Sequence, residues 1–178
     1  MSLPRSHAET RSRSRRRASG WLINAILALC VISGVQWYKA RPLVRGDAPG
    51  LRETLTSGQP FDVADWRGEP VLIHFWAKWC PICRAEEGGI DTLADDHNVI
   101  TIAMQSGEDP EINAYLLERG LSFDAIADPD GEIAAHWGVR AVPASFVLDG
   151  DGRIRFASVG YSPGFGLRGK LWLARYLD

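Results

Sequence analysis

The chain is 178 residues long, room for one ordinary domain and a small further segment, and its 46% hydrophobic and 24% charged composition is that of a globular protein. The formal net charge of −2 conceals an asymmetry: the first seventeen residues carry six arginines and one glutamate, whereas from Lys39 onward fourteen basic residues face twenty-one acidic ones. An acidic body argues against nucleic acid as a partner of the larger part.

The basic arm, residues 1–17, runs into "ASGWLINAILALCVISGVQWY", Ala18 to Tyr38, which carries no charge. About 21 residues at roughly 1.5 Å of helical rise span about 30 Å, the thickness of a bilayer core. Trp21, Trp37 and Tyr38 lie near its ends, where amphipathic rings favour the membrane interface. The dense arginine cluster before it, against only Lys39 and Arg41 after it, keeps the N-terminus cytoplasmic by the positive-inside rule. Residues 18–38 are therefore expected to be a single transmembrane helix acting as an uncleaved signal anchor. A cleaved signal peptide would need small residues after the apolar run, and "CVISGVQWY" offers only a poor site at Ser33 and Val35. A twin-arginine export signal could be read in "SRRR", although the segment after these arginines is only weakly hydrophobic. A lipidated Cys30 would want a small residue before it and has Leu29, so Cys30 reads as an apolar helix residue.

Residues 39–50, with Pro42, Pro49 and two glycines, read as a linker to a domain at 51–178. Short edge strands or a loop are expected over Leu51 to Pro70. "PVLIHFWA" has the continuous apolar character of a strand buried on both faces. A helix follows from Cys80, with Pro81 suited to its first turn and Gly88-Gly89 expected to weaken or kink its middle. "NVITIAM" is a second buried strand. Asp109 is expected to cap a helix that has Pro110 in its first turn and Gly120 at its end. A short strand in "FDAIAD" and a brief helix in "DGEIAAHWGV" come next. "ASFVLDGDGRIRFASV" predicts a hairpin turning at Asp149 to Gly152, and "GLRGKLWLARYL" predicts a closing amphipathic helix. The order β-α-β-α-β-α-β-β-α implies an α/β fold with a central mixed sheet and helices on both faces.

Cys80 and Cys83, three apart, carry the chemistry. A structural zinc site needs four ligands; no second CxxC exists, and His7, His74, His97 and His136 show no ligand spacing. Haem attachment would want a histidine after the second cysteine, where Arg84 stands. Two thiolates could carry Cu(I), so a copper-carrier role stays open. A purely structural disulfide would close so short a loop that it would stabilise little. Redox exchange is the reading the pattern favours. A strand delivering Cys80 to a helix start places its sulfur where free N–H groups and the macrodipole favour a thiolate. Cys80 is then expected to be the exposed attacking thiol. Cys83, one turn on, is expected to be the more buried thiol that resolves the mixed disulfide.

Together, "VLIHFWAKWCPICR" and "VPASFVLDGDGRI" resemble the thioredoxin fold over about Leu51 to Asp178. With the preceding apolar segment and "CRAE", the chain is similar to the membrane-anchored TlpA-like group. Within it the resemblance is to suppressor-of-copper-sensitivity D proteins and to the cytochrome c maturation thioredoxins (DsbE/CcmG). The resemblance implies a cis-proline loop at Val142-Pro143 beside the disulfide, and a substrate-binding surface made of Trp79, Pro81, Val142 and Pro143. It also implies a proton-transfer group beneath Cys83. Thioredoxins carry a buried aspartate where this chain has His74, and TlpA-like proteins carry a glutamate at the place of Glu86, so both residues are candidates. Either could instead be structural: His74 a buried neutral histidine, Glu86 an exposed helix charge. Trp76 is expected in the core. The "GVxGxPE" signature of the cytochrome c group is only partly kept in "GVRAVPAS"; Ala144 stands at the glutamate's place, which counts against haem maturation.

The implied activity is protein-disulfide oxidoreduction, more as reductant than oxidant, with the dithiol itself as redox group and no cofactor or metal. A bacterial source is inferred, with the domain in the oxidising periplasm and the anchor in the inner membrane. The implied partners are periplasmic thiol proteins of copper tolerance or cytochrome c biogenesis, with a transmembrane reductase of the DsbD type as electron donor. A monomer is expected. Besides a copper carrier, the remaining alternative is a tethered docking module without catalysis.

Overall fold

The computed structural model describes residues 43–176 and, ahead of them, Asn24, residues 26–28, Cys30, Val31 and Gly34 in helical conformation. Among the described residues no helix is long and apolar enough to cross a membrane; most of the span predicted at 18–38 lies outside them. The chain divides into two units, Met1–Lys39 and Ala40–Asp178, and every strand belongs to the second.

That unit runs β1 (Gly46–Asp47), β2 (Arg52–Thr54), β3 (Pro60–Asp62), a 3-10 turn (Val63–Trp66), β4 (Val71–Trp76), α1 (Pro81–Ala94) and β5 (Asn98–Met104). It continues with α2 (Asp109–Arg119), β6 (Ala125–Asp128), α3 (Glu132–His136), β7 (Ala144–Leu148), β8 (Arg153–Val159) and α4 (Gly164–Ala174). The main sheet has the order β1-β8-β7-β4-β5-β6, and β2 and β3 form a separate two-stranded ribbon. β4, β5 and β6 pair in parallel through crossover helices, whereas β7 runs antiparallel to both β4 and β8. The mixed sheet expected from the element order is therefore present.

Every residue of β4 is buried, as its unbroken apolar run requires of a central strand. Strand periodicity divides its side chains between two cores. Val71, Ile73 and Phe75 join Trp137 of the α3 end and Phe146 of β7. Leu72 and Trp76 point the other way, onto Ile90 and Leu93 of α1, Ile112 of α2 and Leu167 and Leu171 of α4. His74 shares the parity of this second face, so a polar side chain is aimed at α1. Trp76 packs as expected, 4% exposed and near the rings of Tyr115 and Phe123.

Four local expectations need correction. Part of the segment read as a linker belongs to the fold: Leu43 is buried in the first core, and β1 adds an edge strand beside β8. The cap of α2 is Glu108, whose N–H donates to the Glu111 carboxylate at 3.0 Å, and Asp109 is already helical. α1 is unbroken across Gly88-Gly89; a Cβ on Gly89 would sit 3.6 Å from the Gly164 backbone, so Gly89 permits close approach of α1 to α4. α4 buries Leu167, Leu171 and Ala174, but its outer face is not polar: Phe165 is 82% and Trp172 62% exposed.

The two glycines are expected to respond in opposite directions. Gly88 is exposed with open space at its Cβ position, so Gly88→Ala should raise stability by about 0.5–1 kcal/mol through helix propensity. Gly89→Leu should lower it by roughly 1–3 kcal/mol by forcing α1 from α4. Urea unfolding of the oxidised protein measures both.

Candidate active site

β4 ends at Trp76, and three residues carry the chain to Cys80, the N-cap of α1. Pro81 occupies the first turn, where a missing N–H costs nothing. The Cys80 N–H donates to the Ala77 carbonyl at 3.1 Å and fixes the turn. Cys80 and Cys83 form a disulfide with Cα atoms 5.3 Å apart. The Cys83 N–H points at Cys80 Sγ at 3.2 Å, so a free N–H of the helix start is already directed at the sulfur expected to carry charge. Cys80 is not the exposed member of the pair: it is 4% exposed and Cys83 3%. In the disulfide both sulfurs lie in the second core, and the difference between them is the N–H on Cys80 rather than solvent access.

β7 begins beside the C-terminal end of β4, with Ala144 opposite Phe75. The residues just before it therefore reach the cysteines. The Val142-Pro143 bond is cis, and the Val142 carbonyl oxygen lies 3.7 Å from Cys80 Sγ. The Pro143 carbonyl accepts from the Gly160 N–H at 2.7 Å, which ties this loop to the end of β8. Trp79 is 55% and Ile82 49% exposed, while Pro81 is exposed and Pro143 buried. The indole N–H of Trp79 donates to the Gln105 carbonyl at 3.1 Å.

His74 and Glu86 come together behind the disulfide, on the face that strand parity assigned to His74. Glu86 lies one helical turn beyond Cys83, on the same side of α1. Glu86 is 3% exposed and His74 2%, so neither is a surface charge. His74 Nε2 stands 3.5 Å from Glu86 Oε1, an oxygen with no hydrogen-bond partner. The other Glu86 oxygen accepts from the Ser162 N–H at 2.9 Å, and His74 Nδ1 is hydrogen-bonded to Ser145 Oγ at 3.0 Å. Burial lowers the His74 pKa to about 4. Burial raises the Glu86 pKa to about 7, against the lowering effect of the Ser162 N–H. Between those values both groups are neutral, so their proximity is not an ion pair. Near neutral pH the carboxyl changes charge and the imidazole does not.

Ser145 and Ser162 escaped sequence reasoning. Ser145 sits opposite His74 only through the β4–β7 register, and Ser162 reaches Glu86 from 76 residues away. Among the described residues no group of three or more His, Cys, Asp or Glu side chains is placed to hold a metal ion.

Comparison with known proteins agrees with this geometry. The model of the AhpC/TSA family matches residues 44–157. The thiol:disulfide interchange protein DsbE of Escherichia coli K12 is 31% identical over 157 residues, 78% of this chain and 84% of that protein. A thioredoxin-like protein of Haemophilus influenzae is 27% identical over 156 residues, 86% of this chain and 93% of its own length. The crystal structure of a thiol:disulfide interchange protein of the thioredoxin family from Chlorobium tepidum superposes with a TM-score of 0.63 at 24% identity, covering 74% of this chain and 97% of that one. The fold is thus the thioredoxin fold.

The buried pair has a pH signature. Glu86 is held above its ordinary 4.5, so its contribution to stability is complete below 4.5 and is lost as pH rises through about 7. His74 is held below its ordinary 6.5, so its contribution is complete above 6.5 and is lost as pH falls through about 4. Between 4.5 and 6.5 the two slopes oppose, since unfolding moves a proton from Glu86 to His74. Glu86→Gln leaves only the histidine slope. Relative to wild type, the variant should therefore gain stability from pH 4.5 to about 7 and level off above. Urea unfolding of both oxidised proteins across that range reads the difference.

Proposed function

The chain belongs to the AhpC/TSA family, and from that premise we propose that it is a membrane-tethered reductant of protein disulfides, with Cys80 exchanging with the partner and Cys83 releasing it. As a protein-disulfide oxidoreductase it needs no further redox group than this dithiol. The observation that carries the reading is the Cys83 N–H directed at Cys80 Sγ, with Glu86 one turn below Cys83.

In the reduced state, the Cys80 thiolate attacks one sulfur of the partner's disulfide. That S–S bond breaks, a mixed disulfide forms, and the partner's other sulfur leaves as a thiolate. Cys83 then loses its proton and attacks Cys80 Sγ. The Cys80–Cys83 disulfide forms and the partner departs as a dithiol, two electrons richer. Glu86 takes the Cys83 proton, because its pKa of about 7 lets it accept and return a proton near neutrality. The Ser162 N–H orients the carboxyl, and His74, neutral there, stands beside its other oxygen. Trp79, Pro81 and Val142 form the surface for the partner's extended segment, and Pro143, buried beneath it and tied to Gly160, holds the loop in place.

The uncharged run at 18–38 behind an arginine-rich arm supports the tether. That arrangement places the N-terminus in the cytoplasm and the domain in a bacterial periplasm. Holding the domain at the inner membrane raises its effective concentration near membrane partners. A transmembrane reductase of the DsbD type would return the electrons. Resemblance to the TlpA-like group supports the reducing direction. The partners on this reading are thiol proteins of cytochrome c assembly or of copper tolerance, and Ala144 at the place of the signature glutamate counts against the first.

Cys83→Ala should accumulate mixed disulfides with partner proteins through Cys80, visible on non-reducing gels and released by dithiothreitol. Cys80→Ala should trap none, and each variant should reduce insulin at least about a hundredfold more slowly than wild type. Wild type that reduced no insulin but bound Cu(I) tightly and stoichiometrically would favour the copper carrier. A double Cys80→Ser, Cys83→Ser variant with full function in cells would favour the docking module.

A further inference from the structure

The turn after β5 holds the segment that delivers Cys80. Ser106, only 4% exposed, sits between two backbone groups. Its Oγ accepts from the Lys78 N–H at 3.0 Å and donates to the Met104 carbonyl at 2.9 Å. One residue earlier, the Gln105 carbonyl accepts the Trp79 indole N–H at 3.1 Å. Two consecutive residues of this turn thus grip the two residues before Cys80, one by the main chain and one by the side chain.

The turn is itself held in an unfavourable conformation. Gln105 has φ +48°, and it is the one non-glycine residue with positive φ among the described residues. Such a backbone persists only where its surroundings impose it. Here the Gln105 N–H donates to the Asp128 carbonyl at 2.8 Å, and the Gln105 side chain crowds Gly131, where a Cβ would lie 3.4 Å from its Nε2. Asp128 is buried, and its carboxylate accepts the Ile133 and Ala134 N–H groups at 3.0 and 2.9 Å. The start of α3, the end of β6 and the turn after β5 therefore fix one another, and the carbonyl that holds Trp79 is fixed with them.

Neither contact reaches a sulfur. The N–H that favours charge on Cys80 comes from Cys83, inside α1 and on the other side of Cys80. The turn instead fixes the bearing of an aromatic ring that is 55% exposed. An exposed aromatic ordered in advance binds at lower cost, because its rotamer freedom is already lost.

We propose that Ser106 is a positioning residue for partner binding: with the Gln105 carbonyl it pins Lys78 and Trp79, so that the Trp79 ring stands ready beside the disulfide before the partner's segment arrives. The proposal rests on the reading of Cys80–Cys83 as the exchanging pair and of Trp79 as part of the contact surface. It places the effect in capture of the partner and not in thiol chemistry.

The test is steady-state insulin reduction by the full chain, with dithiothreitol as electron source, for wild type, Ser106→Ala, Trp79→Phe and the double variant. Ser106→Ala should raise the KM for insulin roughly three- to tenfold, the scale of one lost hydrogen bond, and leave kcat within about twofold. Its profile of Cys80 alkylation against pH should coincide with that of wild type. Trp79→Phe keeps a ring and loses the indole N–H, at an exposed position where folding is not at risk, and should raise KM similarly. The double variant should be no worse than the weaker single one, since the two hydrogen bonds act together on one ring and losing either frees it. An unchanged KM in Ser106→Ala, additive effects in the double variant, or a fall in kcat with a displaced alkylation profile would each overturn the proposal. Wild type inert towards insulin would sink it together with the oxidoreductase reading beneath it, and that outcome is distinct from failure of the restraint alone.

Discussion

One hydrogen bond organises the site: the Cys83 N–H directed at Cys80 Sγ at the start of α1. A helix start leaves N–H groups without intrahelical partners, and their dipoles favour negative charge nearby. β4 ends so that the sulfur of the N-cap residue meets one of them. On the reading proposed above, this N–H makes Cys80 the better thiolate although it is as buried as Cys83. What distinguishes the two sulfurs is hydrogen bonding and helix geometry, not solvent exposure.

The sheet supplies everything else the disulfide needs. Because β4 is central, its neighbours bring unlike groups to one place. β5 leads into the turn that grips Lys78 and Trp79, and β7 is preceded by the loop whose Val142 carbonyl approaches Cys80. On the helix-facing side of β4, His74 meets Glu86 in a space closed by Ser145 and Ser162. Burial pushes the two pKa values apart, and only the carboxyl is left able to titrate near neutrality. Two candidates that sequence reasoning treated as rivals lie side by side.

Much of the fold was legible because its signals are local. The apolar run of β4, Pro81 at a helix start, Gly120 at a helix end and the Asp149–Gly152 turn are all read from a few neighbouring residues. Cys80 and Cys83 were legible for the same reason, and the Val142-Pro143 loop through the resemblance to the thioredoxin fold. The features that stayed hidden depend on contacts between distant segments. Ser145 faces His74 only through strand register, and Ser106 matters only because its turn packs against the loop before Cys80. Gly89 looked like a helix breaker, but close packing on Gly164 accounts for it. The expectation of an exposed Cys80 failed because α1 and the loop before β7 enclose the sulfur, which spacing along the chain cannot reveal.

The central claim is that Cys80 is held as a thiolate by the start of α1. Its rate of alkylation by iodoacetamide as a function of pH, followed in the reduced protein by mass spectrometry of the modified peptide, tests this most directly. A midpoint well below the ordinary thiol value of about 8.5, with Cys83 reacting only at higher pH, is the expected result. A midpoint for Cys80 at or above that value, or the same profile for both thiols, would contradict it.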